Sequence, residues 1–384
     1  MKVALCLFKY FPFGGLQRDF FQIAQELISR GHSVRVYVQS WEGDEDKSKM
    51  DIVLVPNFSY TNHKRGEEYF GWVQNHLKSH PVDLVVGFNR MPGLDIYYGA
   101  DVCYAEKNKQ KNIFYKLTPR YKHYMKFERA TVGKGLQTKI LVLNNKQKEE
   151  YQRVYKTEDS RFVLIPPGIS KDRKYSELSE SMRCQCRDSL ELKNSDFCIL
   201  QIGSDFYRKG VDRSIRALAS LPLGLRKDCF LCVVGQDNPK KFITLAHELG
   251  VENQVKFLGG RKDVPHLIAA SDIFIHPARS ECAGIAILEA LIGGVPEIVT
   301  EVCGYASYVK EADSGLVLPE PYDQKKMDKS LLYALERSKL KHWRENACMY
   351  ADTHDLYSLS EYVANIIESE YVNRQRTLCD RVEK

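Results

Sequence analysis

Two glutamates stand eight positions apart in E-C-A-G-I-A-I-L-E (281–289), just past the apolar run D-I-F-I-H-P at 272–277. The run reads as a strand, and Gly284 is placed to open a helix after it. Glu281 then lies in the loop and Glu289 about two helical turns on, so both carboxylates can face one elongated ligand. The helix start, near Ala283, Gly284 and Ile285, offers unpaired backbone N–H groups and a positive dipole end, which suit a diphosphate. Spacing alone fits a solvated helix carrying two glutamates. The position after a strand end shifts the balance toward a ligand.

A second group is G-S-D-F-Y-R-K-G-V-D (203–212), also between a strand-like run and a helix pattern. Arg208 and Lys209 sit between Gly203 and Gly210, where a guanidinium and an ammonium could clamp a phosphate. A third is K-Y-F-P-F-G-G-L-Q-R-D (9–19), which leaves a buried strand through two adjacent glycines and enters a helix. Such a turn lets backbone approach a phosphate closely. His276, at the end of its strand, reads as a structural histidine with its hydrogen bonds satisfied rather than a ligand contact.

These groups need rigid elements behind them. K-V-A-L-C-L-F (2–8) precedes a helix with Leu16, Phe20, Ile23, Ala24, Leu27 and Ile28 on one stripe, ended by Gly31. Strand-like runs at 34–38, 51–56, 83–88, 139–144 and 162–169 follow, with a helix near 66–79. The alternation restarts at I-L-Q-I-G (199–203) and continues through 230–235, 255–259, 272–277 and 297–300, with helices near 211–221, 240–249 and 284–293. Continuous apolar strands separated by amphipathic helices indicate parallel sheets covered on both faces. At 384 residues two domains are expected. We divide them as 1–165, completed by a C-terminal helix over about 355–384, and 166–354, two Rossmann-like α/β halves joined around Pro166-Pro167-Gly168. Ligands of such sheets bind at the carboxyl ends of the strands, so the expected active site is the cleft between the halves.

Composition narrows the classes. The chain is 43% hydrophobic and 28% charged, with no low-complexity tract. Its longest apolar stretch is broken by Glu289 and Glu297, which argues against a membrane span. The N-terminal residues lack the pattern of a secretory signal. Eleven cysteines lie scattered, mostly in apolar runs, as in a reduced protein, and Cys229-Phe-Leu-Cys232 reads as packing. A net charge of +6 is too mild to imply nucleic acid. Asp44-Glu45-Asp46 has the D-x-D form of some metal sites but sits in a charged loop and reads as solvated.

R-K-G-x-D after a strand, V-V-G, V-K-F-L-G, and H-P-x-x-x-E-x-x-G-x-x-x-x-E together resemble the retaining, GT-B-fold nucleotide-sugar glycosyltransferases of family 4. The strings at 9–20, M-P-G-L-D (91–95), A-D-V-C-Y-A-E-K (100–107), P-P-G-I (166–169), D-R-K-Y-S (172–176) and C-G-Y-A (303–306) resemble most closely those members that glucosylate the lipopolysaccharide core. The resemblance implies transfer of glucose from UDP-glucose to an inner-core heptose, without a metal or other cofactor. It implies that Gly15 presents its N–H to the donor diphosphate, that Arg208 and Lys209 neutralise that diphosphate as it leaves, and that Glu289 holds the ribose. Glu281 would hold hydroxyls of the transferred sugar, with backbone of Ala283 to Ile285 nearby. Arg173 and Arg261 would lie around the nucleotide, and Asp19 and Asp101 would face sugar or acceptor. Another UDP-sugar donor, galactose or an N-acetylhexosamine, is the nearest alternative; a non-catalytic nucleotide-sugar-binding protein is a more distant one. The sequence departs from the family at Glu297, where a small apolar residue usually follows the proline. A charge there is expected at the strand mouth or beside a partner.

The segment from Tyr104 to Lys139 carries ten Lys and Arg against Glu106 and Glu128, interleaved with Phe114, Tyr115, Tyr121, Tyr124 and Phe127. Thr118-Pro119 should open a basic aromatic helix through about Arg129. With a membrane-anchored acceptor implied, Lys109, Lys111, Lys116, Arg120, Lys122 and Lys126 are expected to face an anionic membrane rather than nucleic acid. That places the protein in a Gram-negative cytoplasm, peripherally attached to the cytoplasmic face of the inner membrane.

Overall fold

The computed structural model describes residues 1–12, 14–44, 46–175 and 179–382, without the side chains of Asp172 and 377–382. Phe13 of the glycine segment, Glu45 of the acidic loop and Ser176 of the D-R-K-Y-S string lie outside these residues. The chain divides into two compact units, Met1–Gly168 with Ser358–Lys384, and Ile169–Tyr357.

In the first unit the strands are β1 (Lys2–Cys6), β2 (Lys9–Tyr10), β3 (Ser33–Val38), β4 (Ser40–Trp41), β5 (Asp51–Leu54), β6 (Leu84–Gly87), β7 (Ile96–Gly99), β8 (Lys139–Val142) and β9 (Phe162–Leu164). Seven of them form a parallel sheet in the order β5-β3-β1-β6-β7-β8-β9, while β2 pairs with β4. Val3 stands opposite both Val34 and Leu84, so β1 is flanked on each side. Helices cover both faces, which is why its V-A-L-C is apolar throughout.

The helix Gly15–Ser29 buries Phe20, Ile23, Ala24 and Leu27, a stripe at helical spacing. It closes with N–H bonds from Gly31 to Ile28 at 2.9 Å and from His32 to Leu27 at 3.0 Å, the paired bonds of a Schellman end. The terminal helix Leu359–Val382 packs on this first unit through Val363, Ala364 and Ile367. Its Glu368 pairs with Arg30 at 2.9 Å and His32 at 2.7 Å, its Glu370 with Lys139 at 3.1 Å, and its Arg374 with Asp95. The chain therefore returns to its first domain after completing the second.

The second unit holds β10 (Phe197–Ile202), β11 (Cys229–Val234), β12 (Val255–Phe257), β13 (Ile273–His276), β14 (Glu297–Thr300) and β15 (Gly315–Leu318). They form a parallel sheet in the order β12-β11-β10-β13-β14-β15. Four strands, β2, β4, β7 and β15, do not stand out in the periodicity. β2 and β4 have two residues each, and β7 and β15 have four with glycine at one end, which leaves an apolar run shorter than the roughly four to eight residues that mark a strand.

Glu297 corrects an expectation. It is 0% exposed at the first position of β14, between β13 and β15, and has no countercharge among the described residues. The Ser314 hydroxyl donates to Oε2 at 3.4 Å, and Oε1 has no hydrogen-bond partner. Burial holds its carboxyl well above the ordinary range, so it packs as a neutral acid rather than as a charge at the strand mouth.

Candidate functional site

The adjacent strands β10 and β13, paired at Ile199↔Ile273, end side by side, and the loops that leave them meet. Arg279 N–H donates to the Arg208 carbonyl at 2.7 Å, and the Gln201 side chain donates to the Lys209 carbonyl at 2.8 Å. Gly210 makes the approach possible: its φ is +76°, and a Cβ there would stand 2.0 Å from the Pro277 carbonyl oxygen. Arg208 and Lys209 are thereby held against the 277–281 loop.

The two cations converge on one carboxylate. Arg208 Nη1 donates to Glu281 Oε2 at 3.0 Å, and Lys209 Nζ pairs with the same oxygen. Arg208 also donates through Nε to Asp205 Oδ2 at 3.0 Å and through Nη1 to the Ser280 carbonyl at 3.1 Å, which fixes the guanidinium plane. Asp205 and Ser280 therefore shape the site, although the sequence reading passed over both. Glu281 is largely buried, and its backbone makes a parallel bridge to Cys303. Burial alone would raise its carboxyl, but the Lys209 ammonium, with the Arg208 guanidinium, holds it well below the usual range. It stays ionised throughout the physiological range.

Gly284 caps the helix Ile285–Ile292 at φ +96°, where a Cβ would meet Ile287 Cδ1 at 2.8 Å. Ala283 just before it is buried, its carbonyl accepting from Tyr305 N–H at 2.9 Å. Ile285 is the first helical residue; Ile287 N–H donates to the Gly284 carbonyl at 2.8 Å, which leaves the N–H groups of Ile285 and Ala286 without an intrahelical acceptor. Glu289, 6% exposed, accepts from Arg173 Nε at 2.8 Å. Arg261, in the loop after β12, is paired with Asp263 at 2.6 Å. The structure thus groups Arg208, Lys209 and Glu281, and separately Arg173 with Glu289. Among the described residues, Arg261 pairs with Asp263 rather than with either group.

His276 departs from expectation. It is 0% exposed, yet neither ring nitrogen has a hydrogen-bond partner among the described residues; Nε2 lies 3.7 Å from Glu281 Oε2. Desolvation and the nearby Lys209 push its pKa down to about 4.

In the first unit, Gly15 is the first residue of its helix, behind Gly14 in extended conformation. Asp19 is 4% exposed and accepts from the Tyr98 hydroxyl at 2.7 Å. Asp101 has an exposed side chain after β7, and its carbonyl accepts from Gln147 Nε2 at 2.9 Å and Arg90 Nη2 at 3.1 Å. A cavity of about 330 Å³ opens beyond the carboxyl ends of β1, β3 and β6, lined among others by Lys9, Gln17, Asn62, Arg65 and Asn89. The sequence reading did not single out these five. The position of Lys9 and Asn89 directly after the apolar runs 2–8 and 83–88 was the available signal.

In the basic segment Thr118 caps the helix Pro119–Val132, its side chain accepting from Tyr121 N–H at 3.2 Å. Lys109, Lys111, Arg120, Lys122 and Lys126 are exposed, and Lys116 is half-buried with its ammonium on the Lys109 carbonyl at 2.9 Å. Phe127 is in the core rather than on the surface. Glu128, one of the two acids, is also buried, where it pairs with Arg90 at 3.0 Å and accepts from Tyr155 OH at 2.6 Å. The exposed face is therefore more basic than the sequence count. Ile113, Phe114 and Leu117 project from the short helix before it, 62%, 77% and 57% exposed. No helix among the described residues is long and apolar enough to cross a membrane.

Comparison with known proteins agrees with this architecture. Residues 13–173 match the family described as Glycosyltransferase Family 4, and residues 183–348 match Glycosyl transferases group 1. The lipopolysaccharide glucosyltransferase WaaG of Escherichia coli K12 is 55% identical over 369 residues, covering 96% of this chain and 98% of that protein. The crystal structure of WaaG, a glycosyltransferase involved in lipopolysaccharide biosynthesis, aligns at TM-score 0.92 over 95% of this chain and 99% of that one. Sucrose-phosphate synthase from Thermosynechococcus elongatus aligns at TM-score 0.77 with 16% identity, over 98% of this chain and 99% of that one, which speaks to the fold alone. The two α/β halves have the GT-B fold.

Proposed function

We infer the function from one premise: this chain belongs to glycosyltransferase family 4, group 1. We propose that it transfers glucose from UDP-glucose to an inner-core heptose of lipopolysaccharide, retaining the anomeric configuration and using no metal. The observation that carries this reading is the convergence of Arg208 and Lys209 on Glu281 beside the start of the helix Ile285–Ile292. It is supported by 55% identity, over nearly the full length of both chains, to a lipopolysaccharide glucosyltransferase.

The chemistry follows from charge. As the bond from the anomeric carbon to phosphate oxygen breaks, negative charge grows on the diphosphate. Arg208 and Lys209, held at the neighbouring strand ends, are placed to turn from Glu281 to the diphosphate and stabilise that charge. Glu281 holds hydroxyls of the glucose, and backbone from Ala283 to Ile285 lies alongside. Glu289 holds the ribose, with Arg173 and Arg261 around the nucleotide. Gly15 is a further proposed donor to the diphosphate. On the same face, the acceptor hydroxyl bonds to the anomeric carbon and passes its proton to the departing phosphate oxygen. No enzymic nucleophile is required, so Asp101→Asn keeps near-normal turnover; a loss of turnover above a hundredfold would restore Asp101 as nucleophile or base. Asp19, bonded to Tyr98, then shapes the first unit rather than reacting.

The cavity with Lys9, Asn62, Arg65 and Asn89 offers amides and cations suited to an anionic core sugar. The cations around residues 109–126, with Ile113, Phe114 and Leu117 among them, support peripheral attachment to the anionic cytoplasmic face of the inner membrane. Incubating the protein with several UDP-sugars and truncated core acceptors tests the reading. UDP-glucose should be consumed fastest; consumption of no UDP-sugar with any core acceptor contradicts it.

A further inference from the structure

We propose that His276 is a positioning residue for Glu281: its ring N–H takes over the carboxylate when a donor diphosphate draws Lys209 and Arg208 to itself. The proposal rests on the function inferred above and adds a residue with no role in it.

Glu281 Oε2 faces three groups, Lys209, Arg208 at 3.0 Å and His276 Nε2 at 3.7 Å. The two cations are also those that a diphosphate would attract, and its larger charge competes for them directly. A largely buried carboxylate that lost both without replacement would sit as an uncompensated charge, which is costly. It would then take up a proton and lose acceptor capacity toward sugar hydroxyls.

His276 is the group placed to prevent this. It ends β13, is fully buried, and stacks on Phe274 with centroids 5.7 Å apart and 14° between planes. Both ring nitrogens lack hydrogen bonds, although an unmade bond on a buried donor costs about 1–3 kcal/mol. At 3.7 Å the contact to Glu281 is longer than a hydrogen bond, and a shift of about 1 Å would make one. The imidazole is neutral near pH 7, so it supplies a donor without adding a third cation to the clamp. With Oε2 held by the ring, Oε1 remains for the sugar. The strand end and Phe274 fix the ring, so the motion belongs to Glu281.

The experiment compares wild type, His276→Phe and His276→Gln by calorimetric affinity for UDP and for UDP-glucose, by kcat, and by melting temperature. His276→Phe should keep UDP affinity within about twofold while losing about tenfold or more in UDP-glucose affinity and in kcat, the scale of a hydrogen bond to a charged group. His276→Gln, whose amide N–H can reach near the Nε2 position, should recover most of both. An unchanged ratio of UDP-glucose to UDP affinity in His276→Phe overturns the proposal, as does a parallel fall of both affinities with the melting temperature. Wild-type protein that does not bind UDP-glucose overturns the functional reading itself, and this proposal with it.

Discussion

Arg173 Nε donates to Glu289 Oε1 at 2.8 Å, tying the loop that enters the second unit to the helix that carries the second glutamate. Both side chains are largely shielded, so the pair fixes the carboxylate's direction. If Glu289 binds ribose hydroxyls as an anion, Glu289→Gln should weaken UDP affinity by about ten- to a hundredfold, the value of a charged hydrogen bond. Titration calorimetry with UDP checks this. An affinity within twofold of wild type would remove Glu289 from the nucleotide.

Lys209→Ala removes one of the two cations proposed to meet the leaving diphosphate. We expect kcat to fall by about 10²–10³, as for loss of one preorganised electrostatic donor. Single-turnover kinetics isolate the effect from product release. Arg208→Lys should also fail, because an ammonium cannot reproduce the fork that spans Asp205, the Ser280 carbonyl and Glu281.

Glu297 gives the second unit a pH signature. Its folded-state carboxyl is held protonated by burial, while the unfolded carboxyl ionises near the ordinary value of about 4.3. Between those two pKa values the unfolded state binds fewer protons, so the group's stabilising contribution is lost as pH rises. Glu297→Gln should match wild type near pH 4 and melt higher at pH 8, with a shift on the order of 2–4 °C per kcal/mol recovered. A melting difference equal at both pH values would contradict the neutral-acid assignment.

Membrane attachment should depend on two separable features. Phe114→Asp should weaken binding to phosphatidylglycerol vesicles at every salt concentration, because burial of such a ring is worth roughly 1.5–3 kcal/mol. Lys122→Glu with Lys126→Glu should weaken it mainly at low salt, at about 1 kcal/mol for each basic charge removed near the surface. Wild-type protein that fails to cosediment at low salt would exclude this surface.

Much of the framework could be read from residue order. Apolar runs such as V-A-L-C and F-L-C-V-V became central parallel strands, and the Thr118-Pro119 pair opened its helix as its chemistry requires. Gly210 and Gly284 signalled turns whose close approaches build the clamp. What sequence could not supply were distances between segments far apart in the chain. The meeting of Lys209, Glu281 and His276 depends on two neighbouring strand ends, and nothing local marks His276 as lacking a hydrogen bond. Glu128 reads as surface charge in sequence, whereas Tyr104, Arg90 and Tyr155 converge on it in the core. Glu297 differs for the opposite reason: local chemistry disfavours a buried acid there, and the sheet buries it nonetheless.

The most direct measurement is the structure of the product formed from UDP-glucose and a heptose-terminated lipopolysaccharide core. Mass spectrometry should show the addition of one hexose, and NMR should show an α-linkage, the configuration of the donor. A β-linked product would contradict same-face displacement at the Arg208–Lys209–Glu281 site, and an unmodified core would contradict the assigned reaction.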